Sequence, residues 1–377
     1  MEHPGSEGGM KNRRHPVTNV IHVRFPTPED RRASHLGPEL KNFATARRAT
    51  TDAFWLKENG ELLNILECTS TAVPRGLLAV HEETYAGLPE QLAFFPQYYR
   101  FLLSIALDLE ALGLLGDTAE RLCDHVLTRG LVQGETSDIQ RLEAERLLQR
   151  RGRAAPVDAG VEARARDFAS RPDRFALPNK KAAYELTHIV FYLTEYGRKP
   201  VDLGDPVRQS LENVGIWAFL DGNSDLLAEI YIAMRFLSYS PVVMWEEWIA
   251  SEMKAVEIST LPDLPQGDAY HCAFMGAWLA ALRGTPAFSG LGLPDMRRGS
   301  DTDALVFAPP AGRSAALREL SRHLYTLGPA RSGDWARMAP RLQDALSGDA
   351  RDRLRQAATA TDGFARFFES FARAVPA

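Results

Sequence analysis

Cysteine is scarce in this chain, with three residues, Cys68, Cys123 and Cys272, among 377. They are too few for a disulfide framework, and their wide spacing excludes a CxxC-type zinc module. Reduced thiols in a cytoplasmic protein are the expectation they set. Long apolar runs are missing too. No stretch reaches the roughly 18 residues needed to cross a bilayer, so no membrane association is expected. The polar beginning, MEHPGSEGGMKNRRHP, lacks the apolar centre of a secretory signal and reads as a disordered extension over 1–20, with Met10 as an alternative start. Charge of one sign is absent as well: 44 Lys and Arg against 49 Asp and Glu leave a net −5, which is no footprint for nucleic acid. No GxSxG, HExxH, Walker or kinase pattern occurs, and Gly290-Leu291-Gly292 lacks the strand and helix of a dinucleotide fingerprint.

What remains is the composition of a globular protein, 45% apolar and 25% charged, long enough to bury a substantial core. Val17–Phe25 is the one convincing strand, through its β-branched content. Beyond it the chain reads as helix after helix. Phe43, Ala46, Phe54, Leu62, Ile65 and Leu66 recur at helical spacing, and 88–112 is a longer helix with apolar residues around most of its circumference. Four parts are expected: the extension, an N-terminal helical part over 21–150, an Arg-, Ala- and Pro-containing connection over 151–180, and a C-terminal repeat part over 181–377. Basic and acidic residues interleave in the connection, which marks a solvated helical segment rather than a nucleic-acid patch.

The repeat part is built on three similar segments. The helix expected over Tyr184–Gly197 is echoed by Ser224–Ser238 and Asp268–Arg283; counted from Glu185, Asp225 and Tyr270 the spacings are 40 and 45 residues, the size that stacked helix pairs give. Each is apolar on most faces and is followed by a more amphipathic helix, over 206–220, 242–256 and 315–327. An apolar helix has to be surrounded, and an amphipathic one can sit outside it. The expected fold is therefore all-α, made of αα-hairpin repeats that close into an α/α toroid or a partial one. The Gly- and Pro-rich stretch 284–311 is expected to be a long loop, in the position of a lid.

The same register brings His188, Asp225, Glu229 and His271 near the N-terminal ends of the three helices. Glu185, His188, Tyr192 and Glu195 fall on one face of the first helix. A solvated stripe with a Glu185–His188 pair is the plain reading; a stripe facing an internal pocket would make His188 a general base, with Glu185 and Asp225 as catalytic acids. Asp225 and Glu229 lie one turn apart and repel unless a cation sits between them. His271 opens an apolar stripe continued by Met275 and Trp278, where a lone histidine is more often a core group than a ligand, and Cys272 points about 100° away from it. Together His188, Glu229 and His271 make a two-histidine, one-carboxylate donor set of the kind that holds zinc or Fe(II) with an open position.

The run Asp268-Ala-Tyr-His271-Cys-Ala-Phe-Met-Gly-Ala-Trp-Leu resembles the histidine-bearing helix of protein prenyltransferase β-subunits, in which a Tyr-His pair opens an inner helix of an α/α toroid. By that resemblance His271 would be a zinc ligand, although no Asp-x-Cys pair precedes it here. Over Tyr184–Arg283 the chain is similar to bacterial proteins of uncharacterised function. Three functions are compatible with these features. They are an enzyme of bacterial secondary or peptide-modifying metabolism, metal-dependent if the donor set is filled; a non-catalytic helical scaffold for a protein or peptide; and a small-molecule binding protein.

Overall fold

The computed structural model describes residues 27–156, 158–240, 242–265, 267–289, 303–309, 314 and 316–373. Within them the chain is all-α apart from one hairpin, as its periodicity requires. The helices are α1 (Pro28–Thr45), α2 (Ala53–Cys68), α3 (Glu82–Phe94), α4 (Tyr99–Leu112), α5 (Thr118–Thr128), α6 (Asp138–Gln149), α7 (Val161–Ala169), α8 (Pro172–Phe175) and α9 (Lys180–Leu193). They continue as α10 (Gly204–Asp221), α11 (Ser224–Phe236), α12 (Val243–Lys254), α13 (Tyr270–Leu282), α14 (Ala316–Leu327), α15 (Trp335–Ala345), α16 (Gly348–Ala360) and α17 (Phe364–Ala372). Strands β1 (Glu257–Leu261) and β2 (Ala304–Ala308) pair antiparallel. The expected strand over 17–25 and the extension over 1–20 lie outside the described residues, as does 290–302 of the expected lid.

Six helices touch in sequence around a circuit: α2 packs on α4, α4 on α6, α6 on α9, α9 on α11, α11 on α13, and α13 returns to α2. The intervening α3, α5, α7, α10 and α12 lie against these from outside. This arrangement is consistent with the α/α toroid expected from alternating apolar and amphipathic helices. Of the inner helices, α11 and α13 are apolar nearly all round, whereas α6 keeps a polar face. In α13, Ala273, Phe274, Met275, Gly276, Ala277, Trp278 and Leu279 are all buried.

The two ends of the ring differ. Helices α9, α11 and α13 meet near their C-terminal ends in an aromatic plug, where Phe191 lies 5.0 Å from Trp278 and 5.7 Å from Phe236, ring centre to ring centre. Burial of the Phe191 and Trp278 rings contributes roughly 1.5–3 kcal/mol each, while Phe236 is only partly buried. At the other end the helices begin with polar caps. Asp52, Asn179 and Asn223 accept from the first-turn amides of α2, α9 and α11, satisfying donors that an uncapped helix would leave open. Asp268 does the same for Tyr270 at the start of α13, at 3.0 Å.

Three local expectations need correction. Helix α9 stops at Leu193, four residues before Gly197, because Glu195, Tyr196 and Gly197 all take positive φ and turn the chain out of the helix. Helix α10 is amphipathic in sequence but mostly buried, since α14, α16 and α17 cover its outer side. The stretch 284–311 is not wholly loop: Ala304–Ala308 forms β2, four of whose five residues are buried. Residues 151–180, expected as a solvated helical connection, carry the short helices α7 and α8 and so need no such correction. Among the described residues no helix is long and apolar enough to cross a membrane.

Candidate functional site

The capped end of the ring opens into a cleft of about 420 Å³. Its wall comes from four helices of the circuit: Lys57 and Glu61 of α2, Arg100 and Phe101 of α4, Ile139, Gln140 and Glu143 of α6, and, along most of the length of α9, Lys181, Tyr184, Glu185, His188 and Tyr192. Asp225 and His271 stand in the first turns of α11 and α13 beside it. Asp225, in the first turn of α11, is favoured as an anion by that helix's dipole.

His188 is the imidazole of the cleft wall, with its side chain 39% exposed. Its Nδ1 lies 2.7 Å from the carbonyl oxygen of Tyr184, one turn earlier in α9. A carbonyl only accepts, so Nδ1 carries the proton and, in the neutral ring, Nε2 keeps the lone pair. Behind the ring, Glu229 Oε2 is 3.9 Å from the same Nδ1. Thr187 holds that oxygen, donating to it at 2.6 Å.

His271 answers the question raised by Asp225 and Glu229, because it is the cation between them. Its Nδ1 is 3.3 Å from Asp225 Oδ2, and its Nε2 is 3.6 Å from Glu229 Oε1 and 3.9 Å from Glu61 Oε1. Burial alone would lower the pKa of this imidazole, but the Asp225 bond and the charges of Glu61, Glu229 and Asp225 outweigh it and raise the value to about 9. Burial pushes Asp225 the opposite way from its partners; the His271 bond and charge, with the phenol of Tyr184 donating at 2.8 Å, bring it down to about 2. Glu229 is buried among apolar neighbours, which raises its pKa, while His188, His271 and the Thr187 bond pull it down. Tyr184 is held above its ordinary value by burial and by Asp225 and Glu229, so its phenol stays a donor.

The structure therefore brings His188, Asp225, Glu229 and His271 into one chain of contacts, and Glu185 into the adjoining cleft wall. Glu195, expected on the same stripe, is carried away by the left-handed turn and pairs with buried Arg146 at 3.1 Å. Cys272 turns from His271 towards Ser224 Oγ, 3.1 Å away. Glu61, Tyr184, Thr187 and Lys181 belong to the site without having been singled out; Lys57 and Glu61 pair one turn apart on α2 at 3.8 Å. A second cavity, about 310 Å³, lies between α8, α10 and α17 around Asp173, Glu212, Glu369 and Arg366, and no histidine lines it.

Whether His188, Glu229 and His271 suit a metal ion turns on which nitrogens face the carboxylate. His188 meets Glu229 through Nδ1, the nitrogen already bonded to a carbonyl. His271 spends its own Nδ1 on Asp225. Among the described residues, no group of three or more His, Cys, Asp or Glu side chains is arranged to hold a metal ion.

The sequence profile of one family, described as a domain of unknown function (DUF6902), matches residues 17–374. The chain belongs to the DUF6902 family. No curated protein and no solved structure matches it, so the local resemblance of the His271 helix to prenyltransferase β-subunits finds no counterpart. The DUF6902 match spans almost the whole chain, and both the ring and the C-terminal helices α14–α17 fall within it.

Proposed function

We propose that this DUF6902 chain is an enzyme that moves a proton to and from a small molecule held in the cleft, with His188 as the acid–base group. The reading rests on one observation: the His188 ring lines the cleft with its Nδ1–H fixed on the Tyr184 carbonyl, so that Nε2 is the basic nitrogen. Glu229, held by Thr187, is placed to stabilise the imidazolium that forms when Nε2 takes a proton, as the carboxylate of a catalytic triad does. Asp225 and His271 support Glu229 from behind, and Glu185 lines the same wall as a second acid.

The test is a comparison of wild type with His188→Gln on a cell extract in deuterated water, read by mass spectrometry. Wild type is expected to deuterate or consume at least one metabolite, and His188→Gln to do so about 10²–10⁴-fold more slowly, the usual worth of general acid–base catalysis. A wild type that changes nothing in the extract, or a variant that changes the same metabolites at the same rate, overturns the reading.

A further inference from the structure

The charges along the cleft wall are not equally engaged. Arg100 is tied to Glu135 at 2.9 Å and to Glu143. Lys57 reaches Glu61 at 3.8 Å, and Glu61 is also within 3.9 Å of His271. That leaves Lys181 and Glu185, one cation and one anion, one turn apart on α9 and both facing the cleft. Neither has an ion pair or side-chain hydrogen bond among the described residues, although i and i+4 positions on a helix are close enough to pair. The same cleft wall carries two apolar side chains, Phe101, which is 38% exposed, and Ile139. The volume suits a small molecule, not a folded partner.

An unpaired ammonium and an unpaired carboxylate one turn apart, in a cleft that also offers Phe101 and Ile139, are complementary to a ligand that carries both charges on one carbon and an apolar group beyond it. We propose that the ligand of the cleft is an apolar α-amino acid, its carboxylate on Lys181, its ammonium on Glu185 and its side chain against Phe101 and Ile139. This rests on the reading of the cleft as the substrate site and names the class of substrate. The ligand would lie along the first turns of α9, on the His188 side of the cleft, where Nε2 is the basic nitrogen.

The test uses the full chain and three probes that differ only in charge: L-phenylalanine, 3-phenylpropanoate, which lacks the ammonium, and 2-phenylethylamine, which lacks the carboxylate. Binding is measured by calorimetry. Wild type is expected to hold phenylalanine about tenfold or more tighter than either single-charge probe, since each loses one charge-assisted contact. Glu185→Gln should erase the preference for phenylalanine over 3-phenylpropanoate, and Lys181→Met the preference over 2-phenylethylamine. Lys181 is exposed and Glu185 half-buried, so both variants are expected to fold. Equal binding of the three probes, no binding of phenylalanine, or preferences untouched by both substitutions would overturn the assignment. The two proposals fail separately: His188-dependent turnover of a metabolite that is not an amino acid sinks only this one, and zwitterion binding without any turnover sinks only the catalytic reading.

Discussion

Arg47 and Asp268 are 221 residues apart in sequence and 3.0 Å apart in space. The Arg47 guanidinium is fully buried, also bonds Glu58 at 2.9 Å and the Leu305 carbonyl, and lies over the Phe43 ring at 4.5 Å. Asp268 in turn accepts from the amides of Tyr270 at 3.0 Å and Phe307 at 2.9 Å. The pair thus fastens the α1–α2 corner to β2 and to the start of α13, the place where the helical circuit closes. Removing one partner strands the others in a dry interior. Arg47→Met is expected to cost about 3–5 kcal/mol in urea unfolding, the range for breaking a buried ion pair. A loss within about 0.5 kcal/mol, typical of surface changes, would show that the pair does not hold the closure.

A second prediction concerns packing between two helices that flank the circuit. A Cβ built on Gly215 of α10 would run into the indole of Trp245, which is fully buried in α12. A rigid ring in a filled interior cannot step aside. Gly215→Ala should therefore destabilise the fold by about 1–3 kcal/mol despite the better helix propensity of alanine. Thermal unfolding checks the direction, and a stabilised variant would mean that α12 is free to shift.

The third follows from His271. Its pKa is raised from 6.5 to about 9 in the folded chain, so its ion pairs contribute fully below pH 6.5 and are lost as the pH rises through 9. A shift of that size corresponds to stability on the order of 3 kcal/mol, shared with the same Asp225 contact and counted once. Unfolding free energy should fall between pH 6.5 and 9 in wild type and be nearly flat there in His271→Gln. A variant with the same slope would mean that another group titrates.

The fourth concerns metals. Because the nitrogen that His188 turns to Glu229 is already protonated and bonded, the purified protein is expected to carry well below one equivalent of zinc or iron, with a melting temperature unmoved by a chelator. One equivalent of either metal, lost in both His188→Gln and His271→Gln, would restore the donor set expected from the sequence.

How much of this was legible in the sequence depends on whether the signal was local. Helices α9, α11 and α13 were, because their caps and apolar faces lie within one segment, and with them came His188, Asp225, Glu229 and His271. Glu61 was not. It sits on α2, and only the return of α13 onto α2 places it 3.9 Å from His271. The hairpin escaped for the same reason: Ile258 and Phe307 pair across 49 residues, and β2 is five residues of an apparent loop whose backbone is satisfied by β1, Asn42 and Asp268. The end of α9 was missed because positive φ at Glu195 and Tyr196, neither a glycine, leaves no mark in composition.

The closure of the circuit by its first and last helices has a consequence for the chain during its synthesis. Glu61 and His188 leave the ribosome long before His271, and Arg47 has no Asp268 to meet until then. Contacts this distant in sequence form late, since chain entropy opposes them until the intervening helices have packed. A nascent or truncated chain ending before residue 268 would carry His188 without the imidazolium and carboxylate array behind Glu229. The contacts that join His188, Glu229 and His271 therefore form only after translation has passed α13, the last helix of the circuit.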